Sequence, residues 1–339
     1  MKKRKSAILL LLILFAPVLL HKNVFAQRIV KLYVGYVGND APQLPAWSAK
    51  EAGIFQKNGL DVQLVNFTGG PTAIAALLSG DVPITQVSGP SVVSSNLRGS
   101  DVVLVAGGTV TLDVWLMSRP EIKTAEQLKG GTIGIARFGG VNDATLRFLL
   151  PKLGITPGKD VTITQVGGVP LRLAALEARR IQASLLSPPV SLTAKKRGLN
   201  VLADVAALGM VYQHTSVATT RRFIRENPDI IRRYVKSQIE AVHRLKTDRN
   251  TGVEVLAKYL GGSKDKDILE KAYDRAIADD QLPAKQYPTL VGIKAILDGL
   301  VGQEPKAKLA RPEDFVDMQF IKELDQNGFI DILYGRGLK

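Results

Sequence analysis

Arg137 and the glycines that follow it form the stretch best suited to hold an anionic group. The segment RFGGVNDAT connects a predicted strand to a predicted helix. Backbone N–H groups at a helix N-terminus and a neighbouring guanidinium both attract anions, so their effects add. The alternative is that Asn142 or Asp143 only caps the helix while Arg137 is solvated. We predict ligand contacts from Arg137, Phe138, Gly139, Gly140 and Asn142.

Three loops in the first third of the chain are short, polar and glycine-rich. They read GND after the first predicted strand, TGGPT after the second and SGPS after the third. Hydroxyls and free amides at the start of a helix can bind a ligand without catalysing a reaction. Helix capping would explain the same serines equally well. The residues of these loops that we predict to contact a ligand are Asn39, Thr68, Gly69, Gly70, Thr72, Ser88, Gly89 and Ser91.

Aromatic and polar residues near these loops add further candidates. Trp47 follows the first loop, where stacking on a ligand and packing in the core are both open. Trp115 lies where the chain is expected to cross between two halves of the fold, and it could line a cleft there. His214 is either a ligand contact or a hydrogen-bonded histidine on a connecting strand. The candidates from this group are Gln43, Trp47, Thr109, Asp113, Trp115 and His214.

Motifs typical of enzymes are missing from the sequence. There is no Gly-x-Ser-x-Gly elbow, Walker A loop, dinucleotide fingerprint or His-Glu-x-x-His pair. The chain has no cysteine, and only His214 and His243 lie beyond the N-terminal segment. Transition-metal sites need such ligands, so we predict no metal and no cofactor. The shortage of catalytic groups favours binding over catalysis.

The polar loops depend on an alternation of strands and helices that begins at Lys31. The segment IVKLYVGYV is largely apolar, as in strands buried on both faces. A helix ending near Gly59, a strand over Leu60–Phe67, a helix beginning at Pro71 and a third strand follow. Two successive β-α-β units predict parallel strands, whose carboxyl ends place the loops at one edge of a sheet.

A second set of alternating strands and helices runs from about Met117 to Leu208. Residues 109–115 are expected to carry the chain from the first set to the second, and residues 211–220 to carry it back. From Arg221 onward, apolar residues recur at helical spacing, which predicts helices to the end of the chain. The pattern therefore predicts two α/β lobes, the first of them larger and built from both ends of the sequence.

Three segments, AKEAGIFQKNGLDVQLVNF, AALLSGDVPITQ and LRGSDVVLVAGG, resemble the periplasmic substrate-binding proteins of ABC importers. The resemblance is to the nitrate, taurine and aliphatic-sulfonate group, which shares its fold with the thiamine-pyrimidine synthases. It covers Lys31 to Gly108 and continues more weakly to about Pro189. It implies the type II periplasmic-binding-protein fold, with a two-segment hinge and a ligand in the interlobe cleft. A small-molecule ligand and an ABC permease in the inner membrane are the implied partners.

One position departs from the pattern of that group. Near the end of a strand in the second lobe, the group has a ligand-facing acidic or polar residue followed by a proline. Ser187 stands in that place here, with Pro188 after it. Pro188 is therefore added to the expected ligand contacts.

The N-terminus resembles a secretory signal. Lys2–Lys5 precede an apolar run over Ala7–Leu20, and Val24–Ala26 has small residues suited to cleavage. The run is shorter than the roughly 20 residues that span a bilayer. Cleavage after Ala26 would lower the formal net charge from +14 to +9. Export and the scattered basic residues argue against nucleic acid, and the lack of cysteine argues against a lipid anchor.

The sequence therefore predicts a periplasmic solute-binding protein that is freely soluble, monomeric and not an enzyme. Its expected parts are a signal peptide (1–26), lobe 1 (27–112 and 217–339) and lobe 2 (113–216). One alternative is a sensor or scavenger of the same fold. Another is a pyrimidine-synthase-like enzyme, which is disfavoured because such enzymes rely on a cysteine-rich motif. A sulfonate, carboxylate, nitrate, aromatic acid or pyrimidine all remain open as the ligand.

Overall fold

The computed structural model describes residues 29–209, 211–260 and 265–335. The predicted signal peptide lies outside these residues. Ten strands in the described chain form two five-stranded sheets. In chain order they are β1 (Val30–Val37), β2 (Leu60–Phe67), β3 (Ile84–Ser88), β4 (Val102–Ala106), β5 (Trp115–Ser118), β6 (Thr132–Ile135), β7 (Thr162–Gln165), β8 (Ala183–Leu186), β9 (Asn200–Asp204) and β10 (Thr215–Thr220).

The helices follow the predicted alternation and then occupy the last third of the chain. Those of the described residues are α1 (Leu44–Glu51), α2 (Ile54–Lys57), α3 (Gly70–Ser79), α4 (Gly89–Leu97), α5 (Val141–Lys152), α6 (Val169–Glu177), α7 (Val190–Lys196), α8 (Arg221–Glu226), α9 (Pro228–Thr247), α10 (Arg249–Tyr259), α11 (Lys266–Ile277), α12 (Leu290–Leu300), α13 (Gln319–Gln326) and α14 (Phe329–Leu333). None of the described helices is long and apolar enough to cross a membrane.

The first sheet has the order β2-β1-β3-β10-β4. As the two β-α-β units predict, β1 is parallel to both β2 and β3. Strand β10 returns from the other end of the chain and runs antiparallel to β3 and β4. Val34, Ile84 and Leu104 are fully buried, because helices cover both faces of this sheet. This sheet, α1–α4 and α8–α14 form lobe 1.

The second sheet repeats that arrangement, with the order β7-β6-β8-β5-β9. Strand β6 is parallel to β7 and β8, whereas β5 runs antiparallel to β8 and β9. This sheet and helices α5–α7 form lobe 2. The carboxyl ends of the parallel strands therefore carry the strand-to-helix loops of both lobes.

Two chain segments connect the lobes and lie side by side. Tyr212 donates its backbone N–H to the Val110 carbonyl at 2.8 Å, and His214 donates to the Thr109 carbonyl at 3.0 Å. The return segment enters lobe 1 earlier than the predicted boundary at residue 217. Thr215 already pairs with Ser88 of β3, so β10 belongs to the first sheet from its first residue.

The chain near Val316 departs from the helical pattern predicted after Arg221. Residues 312–315 form a short 3-10 turn, and α13 begins only at Gln319. Val316 is extended and forms a bridge with Leu104 of β4, and Asp317 donates its backbone N–H to the Leu104 carbonyl at 2.8 Å. Pairing with the edge of the sheet therefore interrupts the helix.

Candidate functional site

A cavity of about 280 Å³ lies between the two lobes. Lobe 1 contributes the loops after β1, β2 and β3, and lobe 2 contributes the loop after β6, the start of α6 and the end of β8. Both sets of loops follow the carboxyl ends of strands, where ligands bind in open α/β sheets. The volume is near the lower end of the range for small-molecule sites.

Half of the predicted site residues lie at the wall of this cavity. They come from four separate loops and from the returning hinge segment, which the fold brings within one space. For all of them, ligand contact itself stays a prediction. The ten are Asn39, Gln43, Thr68, Gly69, Gly70, Ser88, Arg137, Gly140, Asn142 and His214.

Trp47 packs in the core of lobe 1, away from the cavity wall. Its side chain is fully buried and stacks on Tyr259 with 4.7 Å between ring centroids. Tyr36 meets it edge-on at 5.9 Å. These rings connect α1 to the C-terminal helices, so the core-packing alternative for Trp47 is the one observed.

Gly89 and Thr109 hold the hinge segments in place. The backbone N–H of Gly89 donates to the carbonyls of Gln213 and His214, each at 3.1 Å. A Cβ at Gly89 would lie 2.5 Å from the Gln213 carbonyl oxygen, which explains the need for glycine. The Thr109 hydroxyl accepts a hydrogen bond from the backbone N–H of Thr215 at 3.2 Å.

Ser91 and Thr72 bond to the loops and do not line the cavity. Ser91 is buried beneath Gly70, and its hydroxyl lies 3.4 Å from the hydroxyl of Ser88. Thr72 donates its hydroxyl to the Thr68 carbonyl at 3.4 Å, in the first turn of α3. Local hydrogen bonding to the backbone is a common use of such residues at helix starts.

Asp113, Trp115 and Pro188 also lie outside the cavity wall. Asp113 forms an ion pair with Arg275 of α11 at 2.8 Å, which ties lobe 1 to the hinge. Trp115 begins β5 and lies under the ammonium group of Lys195, 5.6 Å from its ring centroid. Pro188 belongs to the turn before α7, whereas Ser187, which precedes it, does line the cavity.

Phe138 and Gly139 face a different cavity, which lies on the other side of the α5 N-terminus. Asp143 explains this placement, because its carboxylate accepts a hydrogen bond from the Gly139 N–H at 2.9 Å and pairs with Arg147 at 2.9 Å. The carboxylate therefore points away from the interlobe cavity and does not repel an anion there. The loop is divided, with Arg137 and Gly140 at one cavity and Phe138 and Gly139 at the other.

Arg172 is the most informative side chain that the sequence analysis missed. It lies in the first turn of α6, is 2% exposed and lines the interlobe cavity. Nη1 donates to the side-chain oxygen of Asn142, but Nε is buried and has no hydrogen-bond partner among the described residues. Burial lowers the Arg172 pKa to about 10, although the nearby charge of Asp40 opposes that change. In the sequence, the glycine pair at 167–168 before α6 was the signal that could have indicated a ligand-binding loop near Arg172.

Asp40 is the second missed residue, and it faces the cavity from lobe 1. Burial raises its pKa to about 6, while a hydrogen bond from Ser187 and the charge of Arg172 act in the opposite direction. The Ser187 hydroxyl donates to the Asp40 carboxylate at 3.2 Å and so joins the two lobes. A signal existed, because Asp40 directly follows the predicted contact Asn39.

Arg137 crosses from lobe 2 to lobe 1 at the rim of the cavity. Its side chain is exposed, and Nε donates to the Thr68 carbonyl at 3.2 Å. Gly69 has a φ of +92°, and a Cβ there would lie 2.6 Å from Arg137 Cγ. Glycine at position 69 thus permits both the backbone conformation and the close approach of the lobes. Arg137 therefore lines the cavity and is also solvated, which is the state that the alternative interpretation gave it.

His214 lines the cavity in a neutral state. Burial lowers its pKa to about 4, and a hydrogen bond with the Thr111 backbone only partly opposes that effect. Within the described residues, no group of three or more His, Asp or Glu side chains could hold a metal ion. What the described side chains can offer a solute is hydrogen bonds and two buried charges.

Asp40 and His214 are expected to give opposite slopes to stability between pH 4 and 6.5. The folded state favours protonated Asp40, so that stabilisation is present below about pH 4 and is lost as pH rises through 6. It favours neutral His214, so that stabilisation is present above pH 6.5 and is lost as pH falls through 4. The His214 contribution is about 3 kcal/mol, and that of the less buried Asp40 is smaller.

Urea unfolding of the unliganded protein at several pH values tests these slopes. On acidification, His214→Gln should lose less stability than the parent protein, and Asp40→Asn should lose more. If both variants follow the parent curve in parallel, the two buried groups do not carry these shifts.

Most of the chain is similar to known proteins. The model of a family described as NMT1/THI5-like matches residues 43–246. YtlA of Bacillus subtilis, named as a candidate binding protein, is 23% identical over 74% of this chain and 76% of its own. A candidate ABC transporter periplasmic binding protein of Brachyspira hyodysenteriae is 25% identical over 72% of each chain.

Among solved structures, the alkanesulfonate-binding protein SsuA of Xanthomonas axonopodis pv. citri, bound to MOPS, superimposes with a TM-score of 0.71. The sequence identity is 19%, and the superposition covers 86% of this chain and all of that one. Because the identity is low, this likeness establishes the arrangement of the lobes only.

Proposed function

The chain belongs to the NMT1/THI5-like family, and on that premise we propose that it is the solute-binding component of an ABC importer. In this proposal it works in the periplasm as a soluble monomer, after removal of its N-terminal segment and without a lipid anchor. It captures a small organic solute between its lobes and delivers it to a permease in the inner membrane. It catalyses no reaction.

The observation that carries the proposal is the interlobe cavity, which takes buried and half-buried polar side chains from both lobes. Asp40 and Gln43 come from lobe 1, and Asn142, Arg172 and Ser187 come from lobe 2. A solute that contacts both sets can do so only when the lobes meet. Its binding therefore favours the closed arrangement over an open one, as in hinge closure around a ligand.

The lobes also contact each other directly, through packing of α5 against α4 and α12 and through polar pairs. Lys196 of α7 pairs with Asp265 beside α11 at 2.7 Å, but both side chains are exposed. Exposed ion pairs contribute about 0–1 kcal/mol. The Arg137–Thr68 contact is exposed as well. In this proposal the solute adds to these direct contacts, and the permease recognises the closed, loaded form.

A thermal-unfolding screen tests the proposal. The mature chain, Gln27–Lys339, is unfolded and refolded to remove any solute, and is then mixed with sulfonates, nitrate, dicarboxylates, aromatic acids, pyrimidines and amino acids. A solute that binds only the folded state raises the unfolding midpoint in a saturable way. We expect such a rise with one chemical class.

A bulky side chain at Gly140 should abolish that rise, because Gly140 lines the cavity and has an ordinary φ. Gly302→Trp is the matched control, since nothing lies within 4 Å of a Cβ at that position. A rise that survives in Gly140→Trp would place binding elsewhere. A midpoint that no solute moves would contradict the proposal.

A further inference from the structure

We infer that the cleft takes a small zwitterion, whose oxyanion group binds Arg172 on lobe 2 and whose ammonium group binds Asp40 and Gln43 on lobe 1. This inference rests on the proposed function and specifies the chemical class of its solute. The shared chemistry is an amino group and a carboxylate or sulfonate on one short skeleton.

Lobe 2 presents an unsatisfied hydrogen-bond donor to the cavity. Arg172 is nine-tenths buried, yet its Nε has no acceptor among the described residues. No carboxylate of the described residues forms an ion pair with it; its Nη1 donates to the neutral amide oxygen of Asn142. A buried charge without an opposite charge is costly, so the missing partner is an anionic oxygen.

Lobe 1 presents acceptors at the other side of the same cavity. Within the described part of the chain, the Asp40 carboxylate accepts a single side-chain hydrogen bond, from Ser187. Three residues further along, Gln43 Nε2 donates to the Val37 carbonyl at 3.1 Å, which leaves Gln43 Oε1 buried and without a partner in the described chain. Two acceptors at the same wall of the cavity suit a group with several N–H donors, and an ammonium group has three.

Buried Arg172 and half-buried Asp40 interact electrostatically but do not form an ion pair. Each influences the pKa of the other, whereas neither is joined to the other by an ion pair. A simple anion would neutralise Arg172 and leave Asp40 repelling it, and a simple amine would do the reverse. Only a ligand with both charges satisfies both walls of the cavity.

The other ionisable groups at the wall do not change this balance. His214 is neutral near pH 7, since burial lowers its pKa to about 4. Arg137 is exposed and already donates to the Thr68 carbonyl. Asp143 points to the other side of α5. The deep part of the cavity therefore holds one positive and one negative group.

Matched solutes separate the two charges in a calorimetric titration of the refolded protein at pH 7.5. The zwitterions are an ω-amino acid series from glycine to 6-aminohexanoate, together with 2-aminoethanesulfonate. Each is compared with its N-acetyl derivative, with the acid that lacks the amine, and with the amine that lacks the acid. We expect at least one zwitterion to bind at least about 100-fold more tightly than all its matched analogues, because each analogue lacks one charged group and leaves its partner in the cavity unsatisfied.

Variants assign each charge to its wall. Asp40→Asn should remove most of the preference for the zwitterion over the acid, and Arg172→Met most of its preference over the amine. Arg180→Met and Asp81→Asn are matched controls on exposed surface, outside the cavity wall, and should keep both preferences. The comparison among solutes on the parent protein stands even if a variant does not fold.

Each result has a distinct meaning. An acid without an amine that binds within about threefold of its zwitterion would overturn the inference and leave the binding function intact. If a solute of another class binds while no zwitterion does, the inference is also overturned and the binding function stays intact. If no solute binds, both the inference and the proposed function fail.

Discussion

Replacing Trp47 with alanine is expected to lower the free energy of unfolding by about 3–5 kcal/mol. The ring is fully buried, stacks on Tyr259 and packs beside Tyr36, where it joins α1 to the C-terminal helices. Removing it would leave a cavity among these elements. Chemical denaturation of the unliganded variant measures the loss.

Trp47→Phe is the matched control. Phenylalanine keeps most of the stacking area, and it removes an indole N–H that has no partner in the described part of the chain. Its cost should therefore be well below that of alanine. If Trp47→Ala kept its stability but lost solute affinity, the ring would belong to the binding site after all.

Replacing Asp143 with alanine should affect both stability and binding. Its carboxylate accepts from the Gly139 N–H and pairs with Arg147, and its side chain is 7% exposed. Losing a charged hydrogen bond and leaving the partner unsatisfied costs about 2–3 kcal/mol. The loop that carries Arg137 and Gly140 would then be less well ordered, so solute affinity should fall by about tenfold or more.

Asp143→Asn separates the two interactions of this side chain. An amide oxygen still accepts from Gly139 but cannot form the ion pair with Arg147, which is a partly exposed helical pair of small value. Asparagine should therefore retain most of the affinity that alanine loses. Equal losses in both variants would show that the charge, and not the loop contact, matters.

The sequence predicted the architecture well, because its periodicities reflect burial directly. The continuous apolar run of β1 and the glycine-proline start of α3 correspond to the observed elements. The type II periplasmic-binding-protein fold implied by the resemblance is confirmed by the superposition on SsuA. The break before α13 was not predictable, since it depends on pairing with Leu104, more than two hundred residues away in the chain.

The site was predicted less completely, for a physical reason. Loop position could be inferred from strand ends, and it placed Gly69, Ser88 and Gly140 at the cavity. The direction of a side chain depends on tertiary packing that no local pattern encodes. No local pattern singles out Arg172, yet the fold of the second lobe turns the first turn of α6, which carries it, toward the cleft. For Trp47, ligand stacking and core packing were both open, and the C-terminal helices bury it.

If the cleft takes a zwitterion, the division of its two charged partners between separate lobes would give the protein a form of proofreading. Asp40 belongs to one lobe and Arg172 to the other. A molecule with only one of the matching charges can bind to one lobe, but its binding does not favour the closed arrangement. Such a molecule would compete for the site while the two lobes remain apart. The permease would then not engage a wrongly loaded binding protein, because that protein does not adopt the closed form that the permease recognises.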